Sequence, residues 1–154
     1  MPTLIGTLAV RRSVLIKAPP ERVWEEFTSF ERMKAWFGVG HRLVAYEPCV
    51  GGMVETDATN VHPDHEGTAL VFRGRVTAFE ANREVTFEQD WVGHGWVAPP
   101  LVTIRLTPAL GGTLVELFHH TIERTGPNAA DEHLAFEGGW DTRHLQALRK
   151  LVEV

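Results

Sequence analysis

The chain of 154 residues contains one cysteine, Cys49, so an internal disulfide is excluded. A lone thiol fits a reducing compartment, and the expected location is the cytoplasm. No run approaches the roughly 18 apolar residues of a membrane span. The short apolar stretch from Leu4 to Val10 is followed, not preceded, by Arg11-Arg12, the reverse of a secretory signal. Membrane insertion is therefore not expected. Positive charge is in deficit: 15 Lys and Arg against 20 Asp and Glu give a formal net charge of -5. Such a balance leaves no electrostatic footprint for nucleic acid. Also missing are a Gly-x-Ser-x-Gly elbow, a glycine-rich phosphate loop after a strand, and a histidine beside Cys49 in sequence. No cofactor is expected, and no repeat or linker divides residues 1–154, which read as a single domain.

What is present is a core: 44% of residues are hydrophobic and 23% charged, enough for one domain to bury roughly 70% of its unfolded surface. Thr7 to Lys17 alternates loosely and is rich in Val, Leu and Ile, a first strand. Ala18-Pro19-Pro20-Glu21 stops it and opens a helix whose buried face is Val23, Trp24 and Phe27. After a break at Thr28-Ser29, Phe30 to Phe37 forms a second short helix ending at Gly38. Strands follow over Arg42 to Glu47 and Met53 to Ala58, and Asn60 to Gly67 is a polar loop.

Thr68 to Glu80 and Val85 to Trp91 read as an antiparallel pair. Period-two alternation sets Val85, Phe87, Gln89 and Trp91 on the inner face and Thr86, Glu88 and Asp90 outside. Val92 to Pro100 is too rich in Gly and Pro to pair. Leu101 to Thr107 points Val102, Ile104 and Leu106 inward. In the last strand, Thr113 to Arg124, Val115, Leu117 and His119 compete with Leu114, Phe118 and Ile122 for the inner face, but His119 and His120 must part to opposite faces.

From Trp140 onward, Trp140, His144, Leu145, Ala147, Leu148, Leu151 and Val152 recur at steps of three and four, a broad apolar stripe that needs a sheet to lie on. With Asn128 as N-cap, one continuous helix to Val154 would be about 38 Å long. Gly138-Gly139 inside it costs about 1 kcal/mol per glycine relative to alanine, so a bend, a close backbone approach or an open gap is expected there.

Strand, two short helices, about six antiparallel strands and a closing helix describe an α+β sandwich. Ala18-Pro19-Pro20-Glu21-Arg22-Val23-Trp24 and Phe30-Glu31-Arg32-Met33-Lys34-Ala35-Trp36-Phe37-Gly38 resemble the opening motif of the START-like superfamily, in its activator-of-heat-shock-ATPase-like branch. Glu47-Pro48 with Gly51-Gly52, Gly74-Arg75-Val76, Val85-Thr86-Phe87, Gly112-Thr113 and Gly139-Trp140 appear in that branch's usual order. The resemblance implies a helix-grip fold, in which a curved antiparallel sheet wraps a long C-terminal helix and leaves a cavity between them. It also implies a range of roles: binding of lipids, hormones or polyketides, cyclisation of aromatic polyketides, or ATPase stimulation by a eukaryotic co-chaperone with an additional N-terminal domain. A grip domain uses up the 154 residues, which places a chaperone partner last.

The expected function is binding of a small apolar or aromatic molecule, with a cyclase- or hydrolase-like reaction in the same cavity as the alternative and a homodimer left open. Candidate ligand-binding residues are Trp36, Phe37, Phe87, Gln89, Trp91, Trp96, Val102, Ile104, His119, Trp140 and Leu145. Gln89 and His119 are polar groups on an apolar wall that need a partner if buried. The tryptophans fall at element ends or in loops, with Trp96 as a lid and Trp24 as plain core. His119 is the one weak catalytic candidate, acting with Gln89 or Asp141 only if their geometry converges. Asp141 and His144, three apart, share a helix face. His62-Pro63-Asp64-His65-Glu66 concentrates metal-ligand types but not metal-ligand spacing, and reads as a solvated loop.

Overall fold

A computed structural model describes residues 2–61 and 67–153. The first strand, β1, is Val10–Ile16. Helices α1, Pro20–Trp24, and α2, Phe30–Phe37, follow, joined by a short 3-10 turn over Glu25–Phe27. Pro20 at the first turn suits α1 because its missing N–H has no partner to lose there. Ser29 caps α2, its hydroxyl accepting from the Arg32 N–H at 3.2 Å. Then come β2, Arg42–Tyr46, β3, Met53–Asp57, β4, Val71–Glu80, β5, Glu84–Glu88, β6, Asp90–Trp91, β7, Leu101–Ala109, and β8, Gly112–His120. A 3-10 turn at Ile122–Thr125 leads to α3, Ala129–Gly139, and α4, Arg143–Val152.

The strands form one antiparallel sheet in the order β1-β8-β7-β5-β4-β3-β2, with β6 paired to β4. The expected strand Val85 to Trp91 is thus two strands. β5 pairs with the end of β4, Val76 opposite Phe87, while β6 pairs nearer its start, Phe72 opposite Trp91. Gly74 lies where the partner changes, and a methyl group there would overlap the Glu88 carbonyl oxygen. The close backbone approach requires glycine at this position.

The last strand's register is settled by burial. Val115, Leu117 and His119 are buried on the inner face, while Leu114 and Phe118 are only partly covered on the other. The inner core joins Ile16, Val85, Phe87, Val102, Ile104 and Leu117 of the sheet to Leu145, Leu148 and Val152 of α4 and to Phe27, Met33, Trp36 and Phe37.

The outer face is not simply solvated, as alternation implied: Glu84, Thr86, Thr103 and His120 are buried there. Residues 3–8 cover them through a directed chain of hydrogen bonds. Gly6 N–H donates to His120 Nδ1 at 3.1 Å, so the ring hydrogen sits on Nε2, 2.8 Å from the Thr103 hydroxyl. From Thr103 the chain runs to Thr86 at 2.7 Å, to Thr3 at 3.0 Å and to the Glu84 carboxylate at 2.6 Å.

The continuous closing helix divides in two. Trp140 is extended, with φ -80 and ψ 133, and the Asn128 side chain makes no capping bond. Arg12, on the inner face of β1, donates to the carbonyls of Glu137 at 2.8 Å and Trp140 at 3.2 Å, satisfying groups that a helix break leaves open.

Candidate functional site

Between the sheet and the two final helices lies a cavity of about 790 Å³. Its sheet side is formed by Thr56, Leu70, Phe72, Gln89 and Trp91, and its helix side by Leu134, Phe136, Gly138, Gly139, Trp140 and His144. Gly40 and His41, on the turn after α2, close one end. The cavity exists because α3 stands off the sheet: Ala129 is its one buried residue and Leu134 is 68% exposed.

The glycine pair lies in this wall. A Cβ built on Gly138 or Gly139 meets nothing within 4 Å, so neither serves a close backbone approach. Both line the cavity, Gly139 immediately before the helix breaks at Trp140.

Phe72, Trp91, Phe136 and Trp140 are the aromatic part of this wall, and neighbouring rings brace them. Trp91 stacks on His94 with centroids 3.9 Å apart, and His94 Nε2 donates to the Glu132 carboxylate at 3.0 Å, tying the loop after β6 to α3. Trp96 packs edge-on against Phe136 and Trp91 at 6.0 and 6.1 Å. Trp140 Nε1 donates to His119 Nδ1 at 2.9 Å. An indole nitrogen can only donate, so His119 is neutral and carries its hydrogen on Nε2. Burial, then the neighbouring His120, pushes its pKa down to about 3.

A second pair of histidines sits in the cavity wall. The rings of His41 and His144 are 4.8 Å apart, and both pack on Phe37. Burial, then His144 and Arg143, lowers the His41 pKa to about 4. His144 is also lowered, chiefly by burial, against the opposing effects of a hydrogen bond to the Trp36 backbone and the charge of Asp141. Asp141 itself is held by Arg143 through bonds of 2.9 and 3.1 Å rather than paired with His144. Buried polar atoms without a hydrogen-bond partner gather around this space: His41 Nε2, Gln89 Oε1, Trp96 Nε1, His119 Nε2 and His144 Nδ1. Such atoms are costly, at roughly 1–3 kcal/mol each.

The expected site residues fall into three groups. Gln89, Trp91 and Trp140 line the cavity. Trp96 and His119 stand one layer behind, against Phe136 and Trp140. Trp36, Phe37, Phe87, Val102, Ile104 and Leu145 do not line it but fill the closed core. The reason is the seating of α2 against α4. Trp36 is fully buried with its Nε1 donating to the Glu26 carbonyl at 3.0 Å, and Phe37 meets Phe87 edge-on at 6.1 Å. Sequence reasoning missed His41, Phe72 and Phe136. His41 follows a helix stop with no local signal, but the four-residue spacing of Phe136 and Trp140 could have marked a shared helix face.

Among the described residues, no group of three or more His, Cys, Asp and Glu is placed to hold a metal ion. The segment His62 to Glu66 lies outside the described residues. Among the described residues, no helix is long and apolar enough to cross a membrane.

Among solved structures, a protein from Chromobacterium violaceum superposes with a TM-score of 0.70 at 21% identity, over 96% of this chain and 98% of that one. The solution structure of the Aha1 dimer from Colwellia psychrerythraea gives 0.59 at 18% identity, over 96% and 98%. DynU16, from the dynemicin biosynthetic locus, gives 0.66 at 23%, covering 97% of this chain and 48% of the other. These likenesses establish a shared helix-grip fold. No curated protein matches the sequence. Residues 17–153 fit the family described as Activator of Hsp90 ATPase homolog 1-like protein, and the chain belongs to that family.

Proposed function

We propose that the protein binds a small hydrophobic or aromatic molecule in the cavity between the sheet and helices α3 and α4. The observation that carries this reading is a space of about 790 Å³ with Phe72, Trp91, Phe136 and Trp140 in its wall, within the size range of small-molecule sites and accompanied by a few convergent polar groups. Phe72, Trp91, Phe136 and Trp140 supply the apolar contact, and Gln89, His41 and His144 the orientation. His119 fits a positioning role in this reading: it holds the Trp140 indole in the wall. Its Nδ1 is occupied by that bond, so a general-base role for His119 draws no support from the geometry.

Native mass spectrometry of gently purified protein, followed by a thermal-shift screen of lipids, flavonoids and polyketide-like aromatics, tests the proposal. A co-purifying molecule, or a stabilising compound displaced by competitors, is the expected result. An empty screen together with absence of any bound mass would overturn it. Gly138→Leu provides the internal control, because it adds bulk at a lining position where a Cβ meets nothing within 4 Å. The variant is expected to lose ligand uptake while remaining folded.

A further inference from the structure

The two cavity histidines differ in what they offer. His144 is 6% exposed, and its Nδ1 has no partner. Burial lowers the pKa of both His41 and His144, so at neutral pH each ring is neutral and divides one hydrogen and one lone pair between its two nitrogens. Across from His144, with ring centroids 4.8 Å away, His41 has an unpartnered Nε2. Gln89 adds an unpartnered acceptor, Oε1, on the sheet side. The charged groups on the wall are already engaged: Asp141 with Arg143 at 2.8 Å, and Glu132 with His94 at 3.0 Å.

A wall of this kind discriminates by hydrogen-bond polarity. A carboxylate brings only lone pairs and negative charge and would meet Gln89 Oε1, Asp141 and Glu132, while Arg143, the cation on this wall, is taken up by Asp141 at 2.8 Å. An ether or a hydrocarbon leaves the buried acceptors unpaired. A hydroxyl has one hydrogen to give and lone pairs to receive, so a single oxygen can donate to the bare nitrogen of one histidine and accept from the N–H of the other. A flat ring attached to that oxygen would lie among Phe72, Phe136 and Trp140. We infer that the cavity selects an uncharged, hydroxyl-bearing aromatic molecule, its hydroxyl oxygen bridging His41 and His144. This assignment rests on the cavity being a ligand site, as proposed above.

Three probes of one ring system separate the possibilities: 2-naphthol, 2-methoxynaphthalene and 2-naphthoate, titrated calorimetrically at neutral pH into the full chain. 2-Naphthol is expected to bind about tenfold or more tightly than the ether, and the carboxylate most weakly. In His144→Phe, which removes the Nδ1 partner, the preference of naphthol over the ether should fall about tenfold, to near parity. His41→Phe is the second variant, should the first not fold, and is expected to reduce the same preference. Equal binding of naphthol and ether overturns the hydroxyl assignment and leaves the cavity reading intact. Tightest binding by naphthoate also overturns it, in favour of a protonated pair that takes anions. If none of the three binds, the assignment fails, and the cavity reading is then decided by the wider ligand screen.

Discussion

Helix α4 buries His144, Leu145, Leu148 and Val152, whereas α3, of nearly equal length, buries only Ala129. Composition does not explain the contrast, since α3 is on average the more apolar of the two. Arrangement does. The apolar residues of α4 fall on one stripe and those of α3 are scattered around its axis, so α4 can bury its apolar surface in one contact and α3 cannot. The result is a closed core under α4 and a cavity beside α3. The cavity therefore arises where an amphipathic pattern is absent, beside a helix that the core holds in place.

Truncation should expose this difference most strongly. Leu148→Ala, at a fully buried position, is expected to lower unfolding free energy by about 3 kcal/mol. Leu134→Ala, on α3, should stay within about 0.5 kcal/mol. Chemical denaturation of the two variants checks the ratio, and comparable losses would mean that α3 is seated as firmly as α4.

Acid titration probes the buried histidines on both sides of the sheet. Burial holds His41 and His120 at about 4 and His119 at about 3, against an ordinary 6.5. Each is then neutral in the fold and charged in the unfolded chain between its folded value and 6.5. The unfolded chain binds more protons there, so stability is full above about 6.5 and falls as pH drops towards 4. The slope is up to about 1.4 kcal/mol per pH unit for each such histidine. Carboxylates with lowered pKa, Glu84, Glu123 and Asp141, add their own loss further down, below the ordinary 4.5 or 3.8. Thermal midpoints measured from pH 7 to pH 4 should decline throughout that window, and His41→Phe should flatten the decline. A flat profile in the wild type would show that these histidines are not held neutral.

Gly138→Leu isolates the cavity from stability. Leucine favours the helix over glycine by about 0.5 to 1 kcal/mol, and the added Cβ meets nothing. The variant should therefore be slightly more stable by denaturation yet bind less ligand; parallel losses of both would tie the glycines to packing instead.

The smallest effect is expected for Glu132→Gln, which weakens the His94 tie between α3 and the β6–β7 loop. Stability should fall by less than about 1 kcal/mol. Amide exchange should quicken in α3 but not in α4, whose protection comes from the core. Equal exchange in the two helices, before or after the substitution, would remove the contrast on which the site depends.

Local pattern alone determined much of this protein. The proline-opened α1 and the serine-capped α2, the inner-face alternation through Val102, Ile104 and Leu106, and the stripe from His144 to Val152 follow from side-chain period and turn chemistry, which act within a few residues. The ordered motifs from Ala18 to Trp140 identified the family for the same reason. Tertiary structure decided what depends on residues far apart. It broke the closing helix at Trp140, where Arg12, more than a hundred residues earlier, takes up the freed carbonyls. It moved Trp36, Phe37 and Leu145 from an expected ligand wall into the core by packing α2 on α4. It brought His41 beside His144, and it hid Thr86, Thr103 and His120 beneath residues 3–8. Period-two alternation reports which face a strand residue points to, but what covers that face is set by a segment elsewhere in the chain.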